Sequence, residues 1–167
     1  MAEQETIFSS KVKYAGIFSF KDFYNFCYDW LTEETGFFIS EDGYTEKLEG
    51  NLKNMEIKWT GTQKVTDYFK FKIGVKFRIT GLTNIEISKE NTKIKTNKGI
   101  VEIKITGDLI RDYQGKFEIN AFQKFLRSIY EKWVIPARID EFEGKLIEEC
   151  NEFLTQAKAY LDLEGKK

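Results

Sequence analysis

The chain has 167 residues, 41% of them apolar and 16% aromatic, with a formal charge of −1. That length is enough for one domain with its own core, and the near-zero charge gives no global attraction to nucleic acid or an anionic membrane. There is no histidine and there are two cysteines, Cys27 and Cys150; this removes the usual general base at neutral pH, the His-activated nucleophiles and any zinc site built from Cys and His.

The first residues carry neither a basic nor a long apolar run, so no signal peptide is expected. No apolar run approaches the ~18 residues of a membrane span, and a cytoplasmic location is expected. Residues 1–9 are polar and read as a disordered lead into a single α+β domain over 1–167. Val12 and Tyr14 alternate with Lys11 and Lys13 as a short first strand. Ser19 then reads as a helix N-cap, with Asp22 three residues on as an acidic capping-box partner. Phe20, Phe23, Tyr24, Cys27, Trp30 and Leu31 fall on one helical face, and Gly36 supplies the stop.

Residues 37–48 look extended but irregular, with a turn or bulge at Asp42-Gly43 and a turn at Gly50-Asn51. Two long strands follow, near 52–61 and 65–80, separated by Gly61-Thr62-Gln63-Lys64. Along them Met55, Ile57, Trp59, Phe69, Phe71, Ile73, Val75, Phe77 and Ile79 hold the odd positions. Lys58, Lys70, Lys72, Lys76 and Arg78 hold the even ones. Such alternation marks strands with one buried face. Gly74 is the expected bend point. Beyond Gly81, turns are expected at Lys89-Glu90-Asn91 and Asn97-Lys98-Gly99, with a short strand at Ile94 between them. Val101, Ile103 and Ile105, alternating with Glu102, Lys104 and Thr106, form the last clear strand.

After Gly115 the apolar period changes from two to 3.6. Asn120 with Gln123 resembles a second capping pair, and Phe122, Phe125, Leu126, Ile129, Tyr130 and Trp133 share one helical face. Pro136 either starts a new helix or kinks a long one. Ile139, Phe142, Leu146, Cys150, Phe153, Ala157 and Tyr160 or Leu161 line the terminal helix. The expected fold is α+β: a curved antiparallel sheet of about six to seven strands packed against one N-terminal and two C-terminal helices.

This order of elements, with an early helix from Phe20 to Leu31, long strands and a terminal helix after Pro136, resembles the helix-grip fold of START and Bet v 1-like proteins. The resemblance implies a sheet wrapped around the last helix and a cavity that carries a small apolar ligand. It departs from that family in having one helix in the insert, not two, and an additional helix from Ala121 to Trp133. Tyr24, Trp30, Trp59, Phe71, Phe77, Tyr130 and Trp133 are the candidate cavity residues. Separately, segments 22–31 and 139–146 are similar to small archaeal proteins of unassigned activity.

Charge is unevenly spread. Residues 53–116 hold 14 basic and 7 acidic side chains, an excess that offsets the acidic flanks. Lys58, Lys70, Lys72, Lys76, Arg78 and Lys104 are therefore candidates for an anion-binding sheet face. Nucleic acid is disfavoured as the partner, because the strand aromatics take the opposite parity. No phosphate-binding glycine loop, nucleophile elbow or metal-ligand cluster appears, and no cofactor or catalytic residue is expected. Both cysteines lie on apolar stripes and read as core residues. The leading expectation is a non-enzymatic module that binds another protein or its own copies. A small-ligand carrier and a binder of anionic surfaces are the alternatives.

Overall fold

The computed structural model describes residues 3–114, 121–134 and 136–165. Strand β1 (Glu3–Phe18) leads into α1 (Phe20–Asp29), which continues as a wider π-helical turn, Trp30–Glu34. Strands β2 (Phe38–Glu49), β3 (Leu52–Lys64), β4 (Phe69–Lys89) and β5 (Thr92–Arg111) follow. Helix α2 (Ala121–Ile129) is extended by a second π-helical turn, Tyr130–Val134, and α3 (Pro136–Gly165) completes the described chain. The strands form one antiparallel sheet in the order β1-β5-β4-β3-β2, with β1 closing on the last strand. Among the described residues, no helix is long and apolar enough to cross a membrane.

Local sequence accounts for most boundaries. The Ser19 hydroxyl accepts the backbone N–H of Asp22, capping α1. Gly36 takes a φ of +77°, and the N–H of Phe37 returns to the carbonyl of Leu31. Glu90 and Asn91 both have positive φ, the two-residue geometry that matches strand twist and joins β4 to β5. A bulge between Glu41 and Gly43 and a turn at Gly50 fall where the sequence signals them. Pro136 starts α3, where its missing N–H costs nothing. The proposed cap residue Asn120 and the period change at Gly115 lie outside the described residues.

The sheet has five strands, fewer than the six to seven expected, because several apparent breaks lie inside long strands. Asn97 and Lys98 are not a turn: they pair with Phe18 and Ile17 on β1 and with Asn84 and Thr83 on β4. Gly81 (φ +64°) forms a bulge within β4, its N–H held by the Asn54 side-chain carbonyl at 2.8 Å. A Cβ on Gly99 would stand 3.1 Å from the Leu82 Cα, so glycine there serves close strand approach. Gly61-Thr62-Gln63-Lys64 belongs to β3, and the reversal falls at 65–68, where the Thr66 hydroxyl accepts the N–H groups of Tyr68 and Phe69. β1 begins at Glu3, so residues 3–9 are paired strand and not a frayed lead.

Odd-numbered residues of β3 and β4 form the floor of the core: Met55, Ile57, Trp59, Phe69, Phe71, Ile73, Val75, Phe77 and Ile79 are each no more than 4% exposed. Helix α1 lowers Phe23, Cys27 and Leu31 onto this floor. Helix α3 lies across β1 and β5 and meets α1, burying Phe142, Leu146, Cys150, Phe153, Leu154, Ala157 and Leu161. Gly107 makes its close seating possible, because a Cβ there would lie 3.1 Å from the Cys150 Sγ. Each such fully buried side chain contributes about 1.5–3 kcal/mol. Helix α2 does not join this core. Phe122, Phe125, Leu126, Ile129 and Trp133 all face outward, contrary to the expectation that the three helices together cover the sheet.

Two predictions follow from the core. The Trp59 Nε1–H donates to the Tyr24 hydroxyl (3.1 Å), which donates to Glu41 (2.9 Å). Tyr24→Phe leaves the Trp59 donor buried without an acceptor and should cost about 1–3 kcal/mol, read from the urea midpoint. Burial also pushes the Cys150 thiol from 9.0 up to about 12 and the Tyr24 and Tyr160 hydroxyls from 10.0 up to about 12. The unfolded chain releases these protons first. The stability they confer is complete below about pH 9 and is lost as pH climbs toward about 12, so the urea midpoint should fall over that range.

Candidate functional site

The outward face of the sheet gains its organisation from strand register. Lys58 on β3 lies opposite Lys76 on β4, Lys76 opposite Lys104 on β5, and Lys104 opposite Lys11 on β1. Four lysines therefore stand in one line across four adjacent strands. At ~4.8 Å per strand the row spans ~14 Å. The next row toward one end of the strands is Glu56, Arg78, Glu102 and Lys13, in which the charges alternate. The next row toward the other end is Thr60, Gly74, Thr106 and Ser9, small and mostly hydroxylic. A Cβ on Gly74 would come within 2.9 Å of the Thr106 hydroxyl, so this row forms the floor of a trough.

Like charges placed directly opposite each other destabilise a sheet. The compensation in this row is one-sided. Glu56 lies 3.2 Å from the Lys76 ammonium and 3.8 Å from that of Lys58. Its carboxyl is held below the usual carboxylate range, chiefly by the hydrogen bond from Lys76. No ion pair to Lys104 or Lys11 is formed among the described residues, and both are exposed. A cleft of about 400 Å³ opens over this half of the row, bounded by Ser9, Lys11, Lys76, Arg78, Glu102 and Lys104.

Of the six anion-site candidates, the register brings Lys58, Lys76 and Lys104 into the row. It puts Arg78 in the charge-balanced row beside it and moves Lys72 and Lys70 two and three rows away, opposite Asp108 and Ile110. Lys11 was missed. Its alternation with Val12 and Tyr14 discloses its parity, but nothing local discloses that β1 pairs with β5.

Of the seven cavity candidates, Trp59, Phe71 and Phe77 are buried in the core. Tyr24 packs on Trp59 and Phe77, Trp30 on Phe153 and Tyr130 on Tyr68. Trp133 is 73% exposed, with the Lys132 ammonium over its ring. None of the seven lines the cleft over the lysine row.

Helix α2 forms a second unusual surface, because its inward positions are polar. Gln123, Arg127, Tyr130 and Glu131, spaced i, i+4, i+7 and i+8, are the half-buried residues of the segment. Arg127 pairs with Asp112, which is 1% exposed, while Glu131 meets Arg111 and accepts the Tyr68 hydroxyl proton in a short hydrogen bond. Burial, with the Glu131 carboxylate second, holds the Tyr68 hydroxyl protonated far beyond its usual range. This network ties α2 to the sheet by its polar side and turns the apolar stripe to solvent.

Burial raises both thiols, Cys27 and Cys150, so neither is an activated nucleophile. Among the described residues no group of three or more acidic, Cys or His side chains is placed to hold a metal ion. The chain matches no protein-family model, no curated protein and no solved structure.

Proposed function

We propose that this protein is a non-enzymatic self-assembly module that docks through the outward stripe of α2, with a second copy of the chain as its partner. The observation that carries the reading is the inverted seating of that helix. Phe122 is 67% exposed, Phe125 59%, Trp133 73%, and Leu126 and Ile129 39% each. With ~150–250 Å² per aromatic side chain, the stripe presents roughly 600 Å² of apolar surface, at the top of the range for a monomer's largest patch. Two copies docked through it would bury about 1,200 Å², the lower bound for a stable interface. A two-fold contact requires a self-complementary patch, and a stripe without charged members meets that requirement with no charge matching.

The sheet edges are poorer docking surfaces. β2 is broken by its bulge and carries Glu46, Lys47 and Glu49. β1 has its own bulge between Thr6 and Phe8, and Lys158 of α3 reaches over to the Lys13 carbonyl. Charged edges and bulges resist strand addition. The helix-grip resemblance is kept as a proposal about architecture. It is supported by the closure of β1 on the last strand and by α3 on the inner face. The carrier function that the resemblance implies has no comparable support, since Tyr24, Trp59 and Phe77 pack on one another and Trp133 is exposed.

Sedimentation velocity across a concentration series tests the reading. The wild-type chain should show a concentration-dependent dimer. Phe125→Glu with Trp133→Glu should abolish it while leaving the urea midpoint within about 0.5 kcal/mol, as expected of exposed positions. A chain that stays monomeric at every concentration overturns the proposal.

A further inference from the structure

The lysine row on the opposite side of the sheet is not used by that docking. We infer that it is a binding site for a short condensed phosphate, an inorganic oligophosphate or the phosphate tail of a nucleotide, lying across the strands. Three features of the face lead to this ligand class.

The first is charge density. Lys58, Lys76, Lys104 and Lys11 are in direct register across four strands. A single orthophosphate would meet only one or two ammoniums, whereas a linear oligophosphate places a negative oxygen near each in turn. The second is the surroundings of the row. Glu56 and Glu102 stand in the neighbouring row and disfavour a long polyanion running along the strands. On the other flank, the Thr106 and Ser9 hydroxyls can donate to phosphoryl oxygens, and Gly74 leaves room for them. Farther along this face the Asp108 carboxylate meets Gln4 and Thr6 and that of Asp42 meets Thr60, and neither forms an ion pair with the row among the described residues. The third is the absence of an aromatic from the cleft wall, so nothing in it would stack a base. The one strongly exposed ring on this face, Phe38, pairs opposite Thr62, two rows from Lys58. The cleft of about 400 Å³ is large enough for a few phosphoryl groups.

The same geometry explains why a sheet would tolerate four opposed cations. The repulsion is present in the free protein and is relieved when an anion bridges the row. Binding and stability are therefore linked with opposite sign at these positions. Removing Lys11 and Lys104, the two lysines of the row that Glu56 does not pair, should weaken anion binding and also stabilise the free protein.

Titration calorimetry of the full chain at low salt tests this with three probes: inorganic tripolyphosphate, orthophosphate and a thymidine oligonucleotide. Tripolyphosphate should bind at least tenfold more tightly than either of the others. Lys11→Gln with Lys104→Gln should weaken it at least tenfold, while Lys70→Gln with Lys72→Gln, an equal loss of charge elsewhere on the face, should change it less than twofold. The Lys11/Lys104 variant should melt at the same or a higher temperature without ligand. Absence of tripolyphosphate binding, equal losses in the two double variants, tighter binding of the oligonucleotide, or a lower melting temperature of the Lys11/Lys104 variant would each overturn the assignment. The last would make the row a structural feature. Because these readouts do not involve α2, they stand whether or not the chain dimerises.

Discussion

The pairing of β4 with its two neighbours is the constraint on which the rest of the molecule depends. β4 is 21 residues long and has β3 on one side and β5 on the other. Its odd positions from Phe69 to Ile79 are buried and its even positions carry lysine, arginine and one glycine. Side chains alternate with a period of two, so a slip of one residue would bring Lys70, Lys72 and Lys76 against α1 and α3 and expose five or six large apolar residues. At about 1.5–3 kcal/mol for each buried side chain, such a slip exceeds the whole stability of an ordinary domain. The core therefore fixes the register, and the register in turn aligns the lysines. The row on the outer face is a consequence of packing on the inner one.

How far the sequence disclosed this depends on whether the information is local. Parity is local, and the inward set from Met55 to Ile79 was readable residue by residue. So were the Ser19 cap, the Gly36 stop and the Glu90-Asn91 hairpin, because each is a short-range backbone requirement. Strand number was not readable, because glycine has two opposite uses. Gly81 is a bulge inside a strand, and Gly99 permits close approach between strands, yet each has the local appearance of a turn. Register between distant strands was not readable either. Nothing near Lys11 indicates that it will lie opposite Lys104, 93 positions on. The anion face was thus legible as a list of cations of one parity, and only the pairing separates Lys58, Lys76 and Lys104 from Lys70 and Lys72.

Helix α2 shows a different limit. Helical periodicity identifies two faces but not which one is turned inward. The usual inference, that the apolar face is buried, rests on the hydrophobic effect acting without competition. Here Arg127 and Glu131 reach Asp112, Arg111 and Tyr68, and Asp112 is buried. A buried carboxylate left without its partner costs several kcal/mol. Turning the stripe of α2 inward would gain apolar burial but break the Arg127–Asp112 and Glu131–Arg111 ion pairs. The polar spacing Gln123, Arg127, Glu131 was visible in the sequence beside the apolar stripe, one of whose members, Tyr130, packs on Tyr68 instead of facing outward. What it lacked was knowledge of the carboxylate and guanidinium waiting at the end of β5.

The two surfaces depart from ordinary sheet and helix rules in ways that the rest of the fold does not. A row of opposed lysines and an outward apolar helix each make the free monomer less stable than a simple alternative would. Glutamate in place of Lys104 would pair with Lys76 and Lys11, and serine or lysine in place of Phe125 would remove exposed apolar area. Elsewhere the chain follows local rules closely: the helix cap is present, the core side chains are buried, and the edges are charged or bulged. A sequence that satisfies these rules in most places and breaks them at two compact surfaces concentrates its instability where contact with something else can relieve it. An anion would relieve the opposed charges, and an apolar surface of matching extent would relieve the exposed stripe. The two surfaces lie on different sides of one rigid sheet, so occupation of one leaves the other open.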